Sequence, residues 1–236
     1  METKRGFTLI ELMIVIAIVA VVAAIAIPGL LSSQRAGNER NASASLKTIA
    51  TAQSDFRSND RDNNGIRDFW TGDVAGLYSI DNTSTGATSP SAIKLVEVSV
   101  ALADLFTMAG SLSNGNYAND ISTFGVRSAK AGYWYGSLLE DQQTSAVGGD
   151  GLYRQDTDGT GDRVHNMSRF AAAAIPETYG ASGNRVFLLN EGNTQFSRDF
   201  GSDVVTAGTI PPAPTGVYDG TWPTDATLAS SWTKMD

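Results

Sequence analysis

From Leu12 to Leu31 the chain carries no charged or strongly polar side chain. As a helix, at about 1.5 Å rise per residue, that run spans roughly 30 Å, the thickness of bilayer hydrocarbon. A helix that is apolar on every face needs apolar surroundings on every face, so the run reads as a membrane segment. Beyond it the pattern becomes one-sided. Ala42, Leu46, Ile49, Gln53 and Phe56 recur at spacings of three and four, while Arg35, Glu39, Arg40, Asn41 and Lys47 fall mostly elsewhere. One helix from Phe7 to about Phe56, roughly 75 Å long, accommodates both halves. Pro28 removes a backbone donor and crowds the preceding turn. Gly29 and Gly37 are weak helix formers. Local loosening is therefore expected around residues 28–37 during assembly, and an end to the helix near Ser58.

The later pattern is shorter-ranged. Residues 59–68 are polar and turn-rich, and Phe69-Trp70 supplies aromatics to cover the helix end. Residues 82–91 form a Ser/Thr/Gly/Pro-rich loop. Leu95, Ser99, Leu102 and Phe106 predict a second helix from Ala92 to Met108, closed by Gly110. Short apolar runs between turn residues then predict antiparallel strands at 132–139, 170–175, 185–189 and 194–197. Asn190–Asn193 reads as a hairpin, and Pro211-Pro212-Ala213-Pro214 breaks any regular element. Trp222 and Trp232 are expected to pack on the sheet. The resulting fold class is α+β: a long N-terminal α-helix, apolar in its first half and amphipathic in its second, on a small antiparallel β-sheet head. Its parts are a leader (1–6), an apolar helix half (7–31), an amphipathic half (32–58) and a globular head (59–236).

Composition narrows the function. The 236 residues are 42% hydrophobic and 18% charged, which suits a folded head with its own core. A net charge of −8 argues against nucleic acid as a partner, because phosphate binding depends on clustered Lys and Arg. The absence of cysteine excludes disulfides, thiolate metal sites and a cysteine nucleophile.

Three features make the apolar run more than an anchor. Glu11 places a carboxylate inside it, costly in hydrocarbon unless paired. Lys4 and Arg5 precede Gly6, so cleavage after that small residue removes the leader and leaves the helix in place; a secretory signal has its cleavage site on the other side. Pro28 lies near the far end. The stretch Lys-Arg-Gly-Phe-Thr-Leu-Ile-Glu-Leu-Met-Ile-Val-Ile-Ala-Ile-Val resembles the N-terminal signature of type IV pilins and of the pseudopilins of type II secretion systems. The resemblance covers about thirty residues and is positional, with Gly6, Phe7, Glu11 and Pro28 at the family's marked places. It implies cleavage between Gly6 and Phe7 by a prepilin peptidase, which also N-methylates Phe7. It further implies residence in the bacterial inner membrane with the head outside the cytoplasm, and pairing of Glu11 with the terminal amine of a neighbouring subunit. The implied partners are identical and related pilin subunits, an inner-membrane assembly platform and membrane lipid. The large head and missing disulfide lean toward a pseudopilin or minor subunit. A reading from another class is a membrane-tethered module that does not polymerise and binds calcium or glycan.

Two acidic loops suggest calcium. Asp60-x-Asp62-x-Asn64-Gly65-x-x-Asp68 places oxygen donors at positions 1, 3, 5 and 9 of a calcium loop, with Gly at 6. Position 12 is Thr71 rather than a carboxylate, and Asp73 is a candidate substitute. The second loop groups Asp156, Asp158 and Asp162 around glycines, and the family resemblance, through calcium loops in the C-terminal parts of some members, adds support to it without placing it above the first. The competing reading of both is a solvated turn, since Asp and Asn bond nearby backbone. His165 is the single histidine and reads as a surface or turn residue. No G-x-S-x-G, G-x-G-x-x-G or P-loop sequence occurs, and no catalytic pair is nominated. Trp70, Tyr133, Trp134, Tyr135 and Trp222 are the aromatics available to a glycan site, with core packing as the commoner use.

Overall fold

The computed structural model describes residues 6–80, 92–106, 120–146 and 151–235. Helix α1 runs unbroken from Leu9 to Asn59, 51 residues, with Pro28 inside it. The expected loosening is not a break: Pro28 deprives the Ala24 carbonyl of its donor, and the helix continues through Gly29 and Gly37. Thr8 caps the start. Its hydroxyl accepts from the Glu11 N–H, and the Glu11 carboxylate accepts from the Thr8 N–H, a capping box. The helix ends one residue past the expected place, where Asp60 turns left-handed (φ 46°) and its N–H bonds the Phe56 carbonyl.

The two halves of α1 behave as their patterns require. No part of the apolar window is covered by the rest of the chain. In the second half Ala42, Leu46, Ile49, Gln53 and Phe56 are all buried. Polar side chains fasten that half to the head. Asn38 donates to the Ser182 carbonyl at 2.9 Å, Glu39 accepts from the Asn184 N–H at 3.0 Å, and the Gln195 amide exchanges bonds with the Ser43 hydroxyl and carbonyl at 2.7 and 2.8 Å.

The head elements follow in order: β1 (Phe69–Trp70), α2 (Gly76–Ser79), α3 (Val98–Leu102), β2 (Tyr133–Ser137), β3 (Glu140–Asp141), α4 (Gln142–Ala146), β4 (His165–Asn166), β5 (Ala171–Pro176), β6 (Arg185–Asn190), β7 (Gln195–Asp199), β8 (Thr221–Trp222), α5 (Asp225–Ser231) and β9 (Thr233–Met235). Strands β2-β5-β6-β7-β9 form one antiparallel sheet, and the β6–β7 turn is the expected hairpin at Asn190–Asn193. Helix α1 lies across β5 and β6. Ala173 and Ile175 line a pocket together with Val204, Val205 and Tyr218, and every residue of β5 is buried. Both faces of β5 are thus covered, which explains a continuous alanine run where a half-exposed strand would alternate. Trp222 stacks edge-on against Phe196 of β7, and Trp232 against Phe200 and Tyr218.

The second helix is much shorter than its stripe predicted. Among the described residues of that span only Val98–Leu102 is helical; Ala92–Leu95 instead pairs backbone with residues 77–80. Residues 103–105 then leave the helix to bond the outer edge of β2, with the Leu105 N–H to the Tyr135 carbonyl at 2.7 Å. Closing that edge satisfies backbone groups that a longer helix would leave open. Met108 and Gly110, and the loop at 82–91, lie outside the described residues.

Buried side chains brace this cysteine-free head. Asp104, fully buried, accepts from the Val74 and Ala75 N–H groups at 2.6 Å each and from the Phe106 N–H at 3.0 Å. Burial, then the nearby Asp73 charge, pushes its carboxyl well above the usual range. Gln53 serves α1 in the same way. Its carboxamide accepts from the Trp70 N–H at 3.1 Å and donates to the Trp70 carbonyl, standing in for a neighbouring strand. Gln53→Leu keeps the volume but strands both backbone groups, so unfolding free energy measured in urea should fall by on the order of 2–4 kcal/mol.

Candidate functional site

Two places in the chain concentrate features that folding alone does not require. The first is the N-terminal end of α1. Gly6 and Phe7 precede the helix in non-helical backbone, and residues 1–5 of the leader lie outside the described residues. Phe7 is 83% exposed, and the Leu, Ile, Val and Met side chains that follow to Leu31 are more than half exposed. Within this single chain the only charge in the apolar segment, Glu11, is met by Thr8: its carboxylate accepts from the hydroxyl at 2.7 Å and from the N–H at 2.9 Å. Those bonds occupy one carboxylate oxygen and leave the net charge in place.

The second place is where α1 ends. Asp60 is its C-cap, Asp62 follows in the turn, and Asp68 directly precedes β1. Strand β1 pairs with β4, setting Trp70 opposite His165. Gln155 and His165 exchange backbone bonds at 2.8 and 3.1 Å, pinching residues 156–164 into a closed loop. The two acidic loops, separate in sequence, therefore meet at His165. One ligand atom from each of Asp62, Asp68 and His165 lies within 4.8 Å of the others, and all three residues are buried.

His165 is a correction to the sequence reading. It is fully buried, its Nε2 lies 2.9 Å from Asp62 Oδ2, and the Trp70 ring packs edge-on at 5.4 Å. A two-residue strand has no periodicity to read, so nothing in the polar run around His165 signalled its burial. Burial alone lowers the imidazole pKa, but the bond to Asp62 and the charges of Asp68, Asp62 and Asp158 outweigh it and raise it. Asp68 is raised, first by burial, against lowering by His165 and by a bond from Thr157. Asp60 is raised by burial and by its neighbour Asp62.

The structure sorts the seven predicted metal ligands. Asp60, Asp62 and Asp68 each present a buried Oδ1 that no hydrogen bond satisfies. Asn64 is turned away: its carbonyl oxygen accepts from the Ile66 N–H at 2.7 Å and its amide donates to Asp62 at 2.9 Å. Asp156 uses both oxygens on its own loop, accepting from Gly159 and Gly161 at 2.8 and 3.2 Å. Asp158 accepts twice from Thr160 on one oxygen, and Thr160 in turn approaches the Asp162 N–H. Asp73, the candidate for the missing twelfth position, instead accepts from the Trp70 indole at 3.0 Å and the Gly76 N–H at 2.7 Å. The aromatics considered for a glycan site are core: Trp70, Tyr133, Trp134, Tyr135 and Trp222 are all buried.

A long helix that is bare at one end and docked on an antiparallel sheet at the other, led by Gly6-Phe7 and carrying Glu11, matches what the resemblance to type IV pilins implies. The prokaryotic N-terminal methylation motif matches residues 1–27. Residues 30–210 match the family described as protein of unknown function (DUF2950), and the chain belongs to that family. It is 52% identical over 55 residues to the type IV major pilin protein PilA of Myxococcus xanthus, covering 23% of this chain and 25% of that protein. It is 39% identical over 87 residues to the type IV wide pilus major component PilA4 of Thermus thermophilus, covering 37% of this chain and 61% of that one. The chain thus spans a quarter of one curated relative and about three fifths of the other. No solved structure matches it.

His165→Phe tests the junction's polar wiring. Phenylalanine fills the space against Trp70 but leaves Asp62 Oδ2 without the imidazole. Asp62 Oδ2 keeps the Asn64 amide, so stability from urea unfolding should drop by about 1.5–3 kcal/mol, the cost of losing one buried hydrogen bond to a charged group.

Proposed function

We propose that the chain is a structural subunit of a type IV pilus-like filament. A prepilin peptidase cuts it between Gly6 and Phe7 and N-methylates Phe7. Residues 7–31 hold the mature chain in the inner membrane, with the head outside the cytoplasm. An assembly platform in that membrane then brings it together with copies of itself and related subunits. The observation that carries this reading is the apolar half of α1, which nothing in its own chain covers, together with the one carboxylate inside it.

An exposed apolar helix has two ways out of water, lipid and the same helix on neighbouring subunits. In lipid, Glu11 sits near the headgroups and its cost is small. In a packed helical core its charge has to be met. The terminal amine of Phe7 on a neighbouring subunit meets it with opposite sign, and only in one axial register. A misplaced subunit leaves both charges unpaired, so the same pair that compensates Glu11 also selects the stagger. Both curated relatives are described as filament components, a type IV major pilin and a wide pilus major component, and this supports a filament role for the present chain.

Mechanical shearing of cells followed by mass spectrometry tests the reading. The chain should be released with Phe7 as its methylated first residue. Its retention in the envelope after processing would place it in a pseudopilus or a minor position. Persistence of Met1–Gly6 on the mature chain would overturn the processing step. Glu11→Ala should leave membrane insertion intact and cut the sheared yield at least tenfold. An unchanged yield would remove the charge pair from the mechanism.

A further inference from the structure

We propose that the junction at the end of α1 is a calcium site, with Asp60, Asp62 and Asp68 as carboxylate ligands and His165 as the group that holds Asp62 in place. This goes beyond the filament reading and stands or falls separately from it. The unpaired oxygens carry the argument. Asp68 is 1% exposed and the Asp62 side chain is wholly buried, yet Oδ1 of each, like Oδ1 of Asp60, has no hydrogen-bond donor. A buried carboxylate oxygen normally finds a donor or a counter-charge, because leaving it bare forfeits its hydration without return. Among the described residues no lysine or arginine forms an ion pair with any of the three; Arg61, the nearest in sequence, is turned to Asp55. His165, the cationic candidate beside them, bonds Asp62 through Oδ2, and the three Oδ1 atoms have no donor.

Size and chemistry select the ion. Calcium takes about six to eight oxygens at roughly 2.3–2.6 Å, so two of its ligands lie at most about 5 Å apart. Asp62 and Asp68 offer ligand atoms within 4.8 Å of one another, which fits one such shell, and Asp60 lies against Asp62, whose charge and hydrogen bond help raise its carboxyl. The Gly65 N–H bonds the Asp60 carboxylate at 3.1 Å across five residues, which folds the turn back on Asp60. The imidazole does not compete as a ligand in this arrangement. Its Nε2 is spent on Asp62 Oδ2, and that bond holds the carboxylate while Oδ1 stays buried without a donor. The Thr157 hydroxyl does the same for Asp68 through Oδ2. The second acidic loop thus supplies orientation through Thr157 and His165, while Asp156 stays bound to its own turn. Three carboxylates with no nitrogen or sulfur ligand favour a hard cation over zinc.

The test uses the full chain in detergent micelles after chelator treatment. Calcium chloride at about a hundredfold excess over its Kd should raise the melting temperature by about 5–10 °C. Terbium replacing calcium should luminesce on tryptophan excitation, since Trp70 packs on His165, and calcium should displace it. Asp68→Asn should abolish both responses, and Asp156→Asn should retain them. A melting temperature indifferent to millimolar calcium, with no sensitised terbium signal in the unmutated chain, would overturn the proposal. So would stabilisation by zinc alone, or loss of the response in Asp156→Asn but not in Asp68→Asn.

Discussion

One continuous helix has to meet two different surroundings, and the rest of the structure follows from that. Its first half can be stable only where apolar matter encloses it, and the chain itself supplies none. Its second half is covered by the chain's own sheet on one side only. The head therefore has to grip a half-helix firmly enough that whatever the free half packs against is transmitted to it. The grip is partly apolar, through Leu46, Ile49 and Phe56, and partly directional, through Asn38, Glu39, Ser43 and Gln53. Apolar contact alone would let the helix slide along its axis at little cost. Bonds from Asn38, Glu39 and Gln53 to backbone of Ser182, Asn184 and Trp70, and from the Gln195 side chain of β7 to Ser43, set the register.

That division of labour also answers how a head without cysteine holds its irregular parts. Much of it is not sheet: two-residue strands, single-turn helices and long connections. Each is fixed by a buried polar side chain acting on backbone. Asp104 gathers three N–H groups from two segments, Asp73 ties the Trp70 indole to α2, and Asn166 of β4 bonds the Tyr153 carbonyl at 3.1 Å. Such braces stabilise only when satisfied on both sides, since a half-satisfied buried network costs more than an apolar one. Removing one partner in them is therefore a severe change even where little apolar area is lost.

How much of this was legible in the sequence follows the range of each signal. The apolar run, the one-sided stripe from Ala42 to Phe56, the four strands and the hairpin at Asn190 all appear, because each is a local pattern several residues long. The second helix did not survive, because a stripe at helical spacing is also produced by residues that face one core from different elements. Leu95 and Phe106 both pack on the core, but from pairing segments outside α3. At the acidic junction the candidate ligand types were visible but not their sorting. Spacing marks Asp60, Asp62 and Asp156 alike; only the fold decides that Asp156 turns to its own glycines while Asp60 and Asp62 keep a bare oxygen. His165 was invisible for a related reason, since its role is set by a partner 103 residues away.

The position of that junction in the chain gives it mechanical meaning. Asp60 and Asp62 belong to the turn that ends α1, Asp68 to the start of β1, and His165 to the strand that closes the second loop. Force applied along the helix reaches the rest of the head through covalent chain at this corner and nowhere else along α1. Without a cation at their bare oxygens, Asp62 repels Asp60 and Asp68, and His165 meets Asp62 alone among the three by a hydrogen bond. With one, the same groups draw the helix end, β1 and β4 toward a common point. The sign of the electrostatic contribution at the corner thus depends on the ion, so the stiffness of the joint between helix and head would depend on it too.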